Sequence, residues 1–220
     1  MTGKTKTRLD HLVIGAHTLE QGVAYVKRHL GVTVPFGGVH PKMGTHNHLA
    51  RLGDDIFLEI IAINLAGEAP GRPRWFSLDE RQMQQGLKES PRLISWVVNT
   101  PDIKSLLQDA QCSFGTPELI SRGALTWHFA LPSDGRLLGG GFLPYLIQWH
   151  DAVHPAGKME DVGLRLKSLS VYHNNPQWLS GLLASVGADR LVKVHPVSGG
   201  ELPGLRALFD TPGGEVELRS

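Results

Sequence analysis

The sequence predicts an α+β fold assembled from a βαβββ unit used three times, and three observations predict it. The order apolar strand, helix cap, amphipathic helix recurs at residues 9–31, 92–110 and 165–187. Each of these helices leads into three short β-rich runs instead of another long helix. The stretches between blocks, AGEAPGRPRW and HDAVHPAGKMED, are rich in Pro and Gly or charged, as surface connections are.

LDHLVIGA, the first element, is a strand whose Leu9, Leu12, Val13 and Ile14 occupy both faces. Thr18 with Gln21 three residues on forms a capping box for a helix with Leu19, Val23, Val26 and Leu30 on one face, ending at Gly31. VTVPFGGVHP, THNHLARL and IFLEIIAI are the three strands that complete the block. In the second block RLISWVVN leads to Thr100 and Pro101 as cap and first helical residue, with Ile103, Leu106, Leu107 and Ala110 as the apolar face. PELISRG, LTWHFALP and FLPYLIQW are its remaining strands. In the third, LKSLSVYHN precedes the Asn175-Pro176 cap, a helix with Leu179, Leu182, Leu183 and Val186, and then RLVKVHPV, LRALFD and EVELRS. The resulting organisation is a disordered tail over 1–8, modules over 9–70, 91–151 and 164–220, a connector over 71–90 with a short helix near Ser77 to Lys88, and a linker over 152–163.

With 22 basic and 21 acidic residues and a net charge of +1, the chain has no field favouring nucleic acid. Its one cysteine, Cys112, excludes an intramolecular disulfide, and no apolar run has the length of a membrane span. MTGKTKTR lacks the apolar stretch of a signal peptide. The expectation is a soluble, cytoplasmic protein whose partner is a small molecule.

The repeat puts residues in matching places. His11, Ser95 and Ser168 fall on the first strands of the three blocks, and Glu59, Gln148 and Glu217 on the last strands, at similar separations. An imidazole inside a strand apolar on both faces needs a partner: a backbone carbonyl in a plain core, or a functional site.

LDHLVIGAHTLEQGVAYVKRHLGV with FLEIIAI, and ALFDTPGGEVEL at the C-terminus, resemble the vicinal oxygen chelate (VOC) superfamily of glyoxalase I, extradiol dioxygenases and bleomycin-resistance proteins. GTHNHLARLGDDIFLEIIAI is similar, more narrowly, to its glyoxalase-like branch. The resemblance implies that two βαβββ modules pair into an open cupped barrel, with a third beside it. It implies a divalent metal (zinc, manganese, nickel or iron) held by residues on the first and last strands of each module. Carried onto this chain, those positions are His11, Glu59, Ser95 and Gln148. His11 and Glu59 are good ligands, Gln148 a weaker amide donor, and Ser95 a poor ligand that lines the pocket. Phe57 and Ile61 share the parity of Glu59 and would form an apolar floor.

HPKMGTHNH supplies further histidines, His40, His46 and His48. If Gly53 and Asp54 form a two-residue turn, His48 falls opposite Glu59; a three-residue loop puts Asn47, Leu49 and Arg51 there instead, and the shorter turn is preferred. Trp149 is assigned to the core because it points away from Gln148. His154-Pro155 is read as a surface turn, with a lid over the cup as the other reading. Two functions are consistent with these residues. One is a metal-dependent lyase, isomerase or dioxygenase in which Glu59 or His48 takes the substrate proton. The other is a metal-free cup that sequesters a small molecule, as bleomycin-resistance proteins do. The third module's apolar face, with Leu166, Val171, Leu205 and Leu218, must be covered by its own chain or by a copy in a homodimer.

Overall fold

The first strand explains how the two halves meet. β1 (Arg8–Gly15) is buried from Leu9 onward on both faces, so both of its edges are free to pair. The computed structural model describes residues 6–151 and 153–220, and in it β1 runs parallel to β4 (Phe57–Ile63) and antiparallel to β5 (Arg92–Asn99). Residues 1–5 of the expected tail lie outside the described residues, as does Ala152 of the linker; Arg8 already belongs to β1.

In the first half α1 (Leu19–Leu30) is capped by Thr18, whose side chain accepts the Gln21 N–H. It buries Leu19, Val26 and Leu30. β2 (Phe36–His40) and β3 (Thr45–Arg51) then lead to β4. The connector carries α2 (Arg81–Glu89). In the second half α3 (Ile103–Asp109) starts later than Thr100-Pro101 suggested: Asp102 is the cap and accepts the Ser105 N–H, while the Thr100 hydroxyl accepts the Asp102 N–H. β6 (Thr116–Arg122), β7 (Leu125–Leu131) and β8 (Tyr145–Trp149) complete it.

The eight strands form one sheet in the order β2-β3-β4-β1-β5-β8-β7-β6. It curls into a barrel-like cup until its edge strands β2 and β6 touch. Polar side chains bridge that seam, where Lys42 donates to the Leu119 carbonyl at 3.2 Å and Arg72 pairs with Glu118 at 2.5 Å.

The third block has the expected element order, β9 (Arg165–His173), α4 (Pro176–Ser185), β10 (Lys193–Pro196), β11 (Gly204–Thr211) and β12 (Gly214–Arg219). Its strand order differs: β10-β9-β11-β12. After α4 the chain returns beside β9 as a parallel neighbour, so β9 is interior and β11 separates it from β12. Ser168 and Glu217 therefore flank Leu208 and do not sit on adjacent strands as His11 and Glu59 do. The apolar face is covered within the chain: Val171, Leu205, Ala207, Phe209 and Leu218 are buried and join one continuous core, with β11 and β12 against β5. No helix among the described residues is long and apolar enough to cross a membrane.

Candidate active site

The floor of the cup is built at a β-bulge. Leu9 pairs with Val98 and His11 with Val97, leaving Asp10 as the extra residue of β1. A bulge breaks the strict alternation of side chains, and here it brings neighbouring residues Asp10 and His11 into contact. His11 Nδ1 donates to Asp10 Oδ1 at 2.5 Å; a carboxylate only accepts, so the ring holds a proton on Nδ1 and turns Nε2 toward the cleft. Nε2 lies 3.6 Å from Glu59 Oε2. The ring stacks on Phe57 at 4.4 Å between centroids.

Asp10 is fully buried, yet its second oxygen collects three more donors: Trp149 Nε1 at 2.8 Å, His154 Nε2 at 2.9 Å and Asn99 Nδ2 at 3.1 Å. Burial raises its pKa, but the hydrogen bonds from His11 and His154 outweigh that and hold the carboxyl well below the usual range. The linker is thus tied to the floor. His154 accepts the Ala156 N–H on Nδ1, and Pro155 and Met159 line the cleft, so this stretch packs against the cup and is not a free surface turn.

A second polar chain runs up the other wall. Asn47 donates to Glu59 Oε1 at 2.6 Å and accepts from Arg122 Nη1 at 3.2 Å. The same Nη1 donates to His40 Nε2 at 3.2 Å, while His40 Nδ1 meets Thr45 Oγ1 at 3.1 Å. Burial first, and the Arg122 charge second, push the His40 pKa down to about 3, which keeps the ring neutral and able to accept. Trp75, Phe76, Trp127, Phe129, Ile147 and Trp149 supply apolar walls to a cleft of about 450 Å³ including its mouth.

His11, Glu59 and Phe57 meet in this cleft, and the other expected site residues do not. Gly53, Asp54 and Asp55 form a three-residue loop closed by Leu52 N–H to the Ile56 carbonyl, so Leu49 pairs with Glu59 and His48 points out, where it meets the Val34 carbonyl at 2.6 Å. Gln148 lies on the outer face of β8, where its Oε1 accepts the Ile103 N–H at the start of α3 at 2.9 Å. Its neighbours Ile147 and Trp149 face inward, which reverses the expected parity. Ser95 and Ile61 are buried without lining the cleft. Asp10, Arg122 and Trp75 are site residues that the sequence did not single out, while Asn47 faces Glu59 as the three-residue loop requires and His40 is one of the further histidines; the Asp10-His11 dipeptide itself carried a signal, a carboxylate beside an imidazole on a buried strand.

The sequence profile of a glyoxalase-like domain matches residues 9–187. The chain belongs to the glyoxalase-like family, within the VOC superfamily. This glyoxalase-like protein is similar in fold to a hypothetical protein from Staphylococcus aureus, with 14% identity over 97% of this chain and 85% of that one and a TM-score of 0.56. Weaker likenesses are to methylmalonyl-CoA epimerase from Mycobacterium tuberculosis (17% identity, 68% of this chain, 91% of that chain, TM-score 0.40) and to a variant of 4-hydroxymandelate synthase from Streptomyces coelicolor (13%, 98%, 63%, TM-score 0.48). Nothing about the chemistry of this chain rests on them. No curated protein matches.

The donor set tests the metal that the superfamily implies. From the second half the cleft receives Arg122, Trp127, Phe129, Ile147 and Trp149, none of them a metal ligand, and neither Ser95 nor Gln148 lines it. Among the described residues no third His, Cys, Asp or Glu joins His11 and Glu59. Two donors do not fit a divalent ion held by the protein, which needs three or four.

Proposed function

We propose that this glyoxalase-like protein is a proton-transfer enzyme, a lyase or isomerase acting on a small molecule with adjacent oxygens, and that His11 is its base. The observation that supports the reading is the Asp10–His11 pair, which orients the ring and aims Nε2 into an apolar cleft beside Glu59. A proton on the carbon next to a carbonyl passes to His11 Nε2, and its electron pair moves to the carbonyl oxygen as an enolate. The buried Asp10 carboxylate stabilises the imidazolium so formed. Returning the proton to the other face of the same carbon gives a stereoisomer; where that carbon carries a hydroxyl, transfer of the hydroxyl proton to the enolate oxygen lets the former carbonyl carbon take the proton from His11 instead, and the carbonyl moves to the neighbouring carbon. Asn47 holds the Glu59 carboxylate in place, and the aromatic walls with Pro155 and Met159 keep water from the enolate. The metal-dependent lyase, isomerase or dioxygenase expected from sequence would need donors that the second half does not present.

The test is deuterium incorporation into 2-oxo and 2-hydroxy acids and their esters in D₂O, followed by mass spectrometry, with elemental analysis alongside. The expected result is exchange that falls about 10²- to 10⁴-fold in His11→Gln and about 10²-fold or more in Asp10→Asn, without stoichiometric metal after incubation with zinc, manganese, nickel or ferrous iron. Stoichiometric metal lost in both His11→Ala and Glu59→Ala would replace this reading with the metal-dependent one. Ligand binding without any exchange would leave a sequestering cup.

A further inference from the structure

We propose that Arg122 is the anchor for a substrate carboxylate, and that the cup takes an aromatic monocarboxylic acid. The inference rests on the reading of the cup as an active site and names its substrate class. Arg122 reaches from the edge strand β6 across the seam into the cleft, where it is half-buried among apolar walls. Its neighbours there, Asn47 Oδ1 and His40 Nε2, are neutral acceptors, and both engage only Nη1. Among the described residues no carboxylate forms an ion pair with it, the nearby Glu59 charge acts on it only at a distance through the Asn47 bridge, and its Nε and Nη2 make no hydrogen bond. Two of its three guanidinium nitrogens are thus free at the cleft, and a planar carboxylate accepts two parallel hydrogen bonds from such a fork.

The surroundings of the arginine fit the same ligand. Trp75 contributes its apolar ring to the cleft wall, while its buried Nε1 has no hydrogen-bond partner. It stands edge-on to His40, 5.1 Å away between centroids, which places it on the Arg122 side of the cup. Then β2 is cut away to admit the arginine: a Cβ on Gly38 would lie 3.1 Å from Arg122 Cδ. The aromatic walls select the body of the ligand, and one guanidinium balances one negative charge, which favours a carboxylate over a phosphate dianion.

The test is a tryptophan-fluorescence titration of the full chain with 3-phenyllactate, phenylpyruvate, 3-phenyllactamide and phenyl phosphate. The acids should bind, with the amide about tenfold weaker or worse. Arg122→Gln should bind acid and amide equally, and Arg122→Lys should keep part of the preference; thermal unfolding reports whether each variant is folded. Should Arg122→Gln not fold, the acid–amide comparison in the wild type and in Arg122→Lys decides. Absence of acid binding, equal binding of acid and amide by the wild type, or an acid preference that survives in Arg122→Gln overturns the proposal, as does tighter binding of phenyl phosphate. Acid binding through Arg122 without deuterium exchange removes the catalytic reading and leaves the anchor. Exchange without an acid preference removes the anchor alone.

Discussion

His40 shows how one buried side chain carries both stability and site architecture. Its ring is neutral because burial and the neighbouring guanidinium disfavour the cation, and neutrality lets Nε2 accept from Arg122. The folded pKa of about 3 lies below the ordinary value of 6.5, so between those values the unfolded chain binds more protons than the folded one. Stability is then fully present above pH 6.5 and is lost as pH falls toward 3. Urea denaturation at pH 7 and pH 4.5 should show a loss that exceeds that of His40→Gln by about 2 kcal/mol; equal losses in the two proteins would mean that His40 is protonated in the folded state. Asp10 illustrates the complementary case, a buried charge sustained by four donors.

Among the elements, β2 is the one shaped most visibly by what it must accommodate. Phe36 pairs with His48 and Gly38 with Asn47, so Gly37 is the extra residue of a second bulge. A Cβ on Gly37 would stand 2.5 Å from Asn47 Oδ1 and 2.6 Å from Leu49 Cγ, and Gly38 has φ +145°, a backbone conformation that side chains rarely adopt. The two glycines keep this edge strand thin where Asn47, Leu49 and Arg122 converge. Gly37→Ala should cost about 1–3 kcal/mol in urea denaturation and should weaken binding of 3-phenyllactate, since it displaces the amide that orients both Glu59 and Arg122. An unchanged midpoint with unchanged binding would show that β2 shifts freely. Both bulges were hidden from a reading based on alternation, because each shifts the parity of the residues downstream by one. The same one-residue sensitivity exchanged His48 for Asn47 and Leu49 at the three-residue loop of residues 53–55.

On the scale of the whole molecule, the three blocks share one apolar core, since the buried face of the third sheet is continuous with the core of the cup. Phe209, fully buried on β11, lies far along the chain from the site but within that core. Phe209→Ala should cost about 3–5 kcal/mol, and cup tryptophan fluorescence and far-UV circular dichroism should still trace a single coincident transition. Two separated transitions would instead mark the third module as an independent unit.

The sequence by itself determined the order of elements, the caps of α1 and α4, the repeat and the family, because these depend on local periodicity and on residues that signal turns and helix ends. The resemblance to the VOC superfamily implied neighbouring strands for His11 and Glu59, and the order of elements by itself did not, since the third block has the same order and pairs its strands differently. Only the tertiary structure decided which residues face the cup. Facing depends on parity, and parity was set by two bulges, a loop length and the pairing of β8, none of which alters hydrophobic pattern enough to be read. It likewise decided that α4 returns the chain to the side of β9, and that Arg122 from one half crosses a seam to meet His40 and Asn47 from the other. Such contacts join residues far apart in the chain through the curl of the sheet, and no local stretch of sequence encodes them.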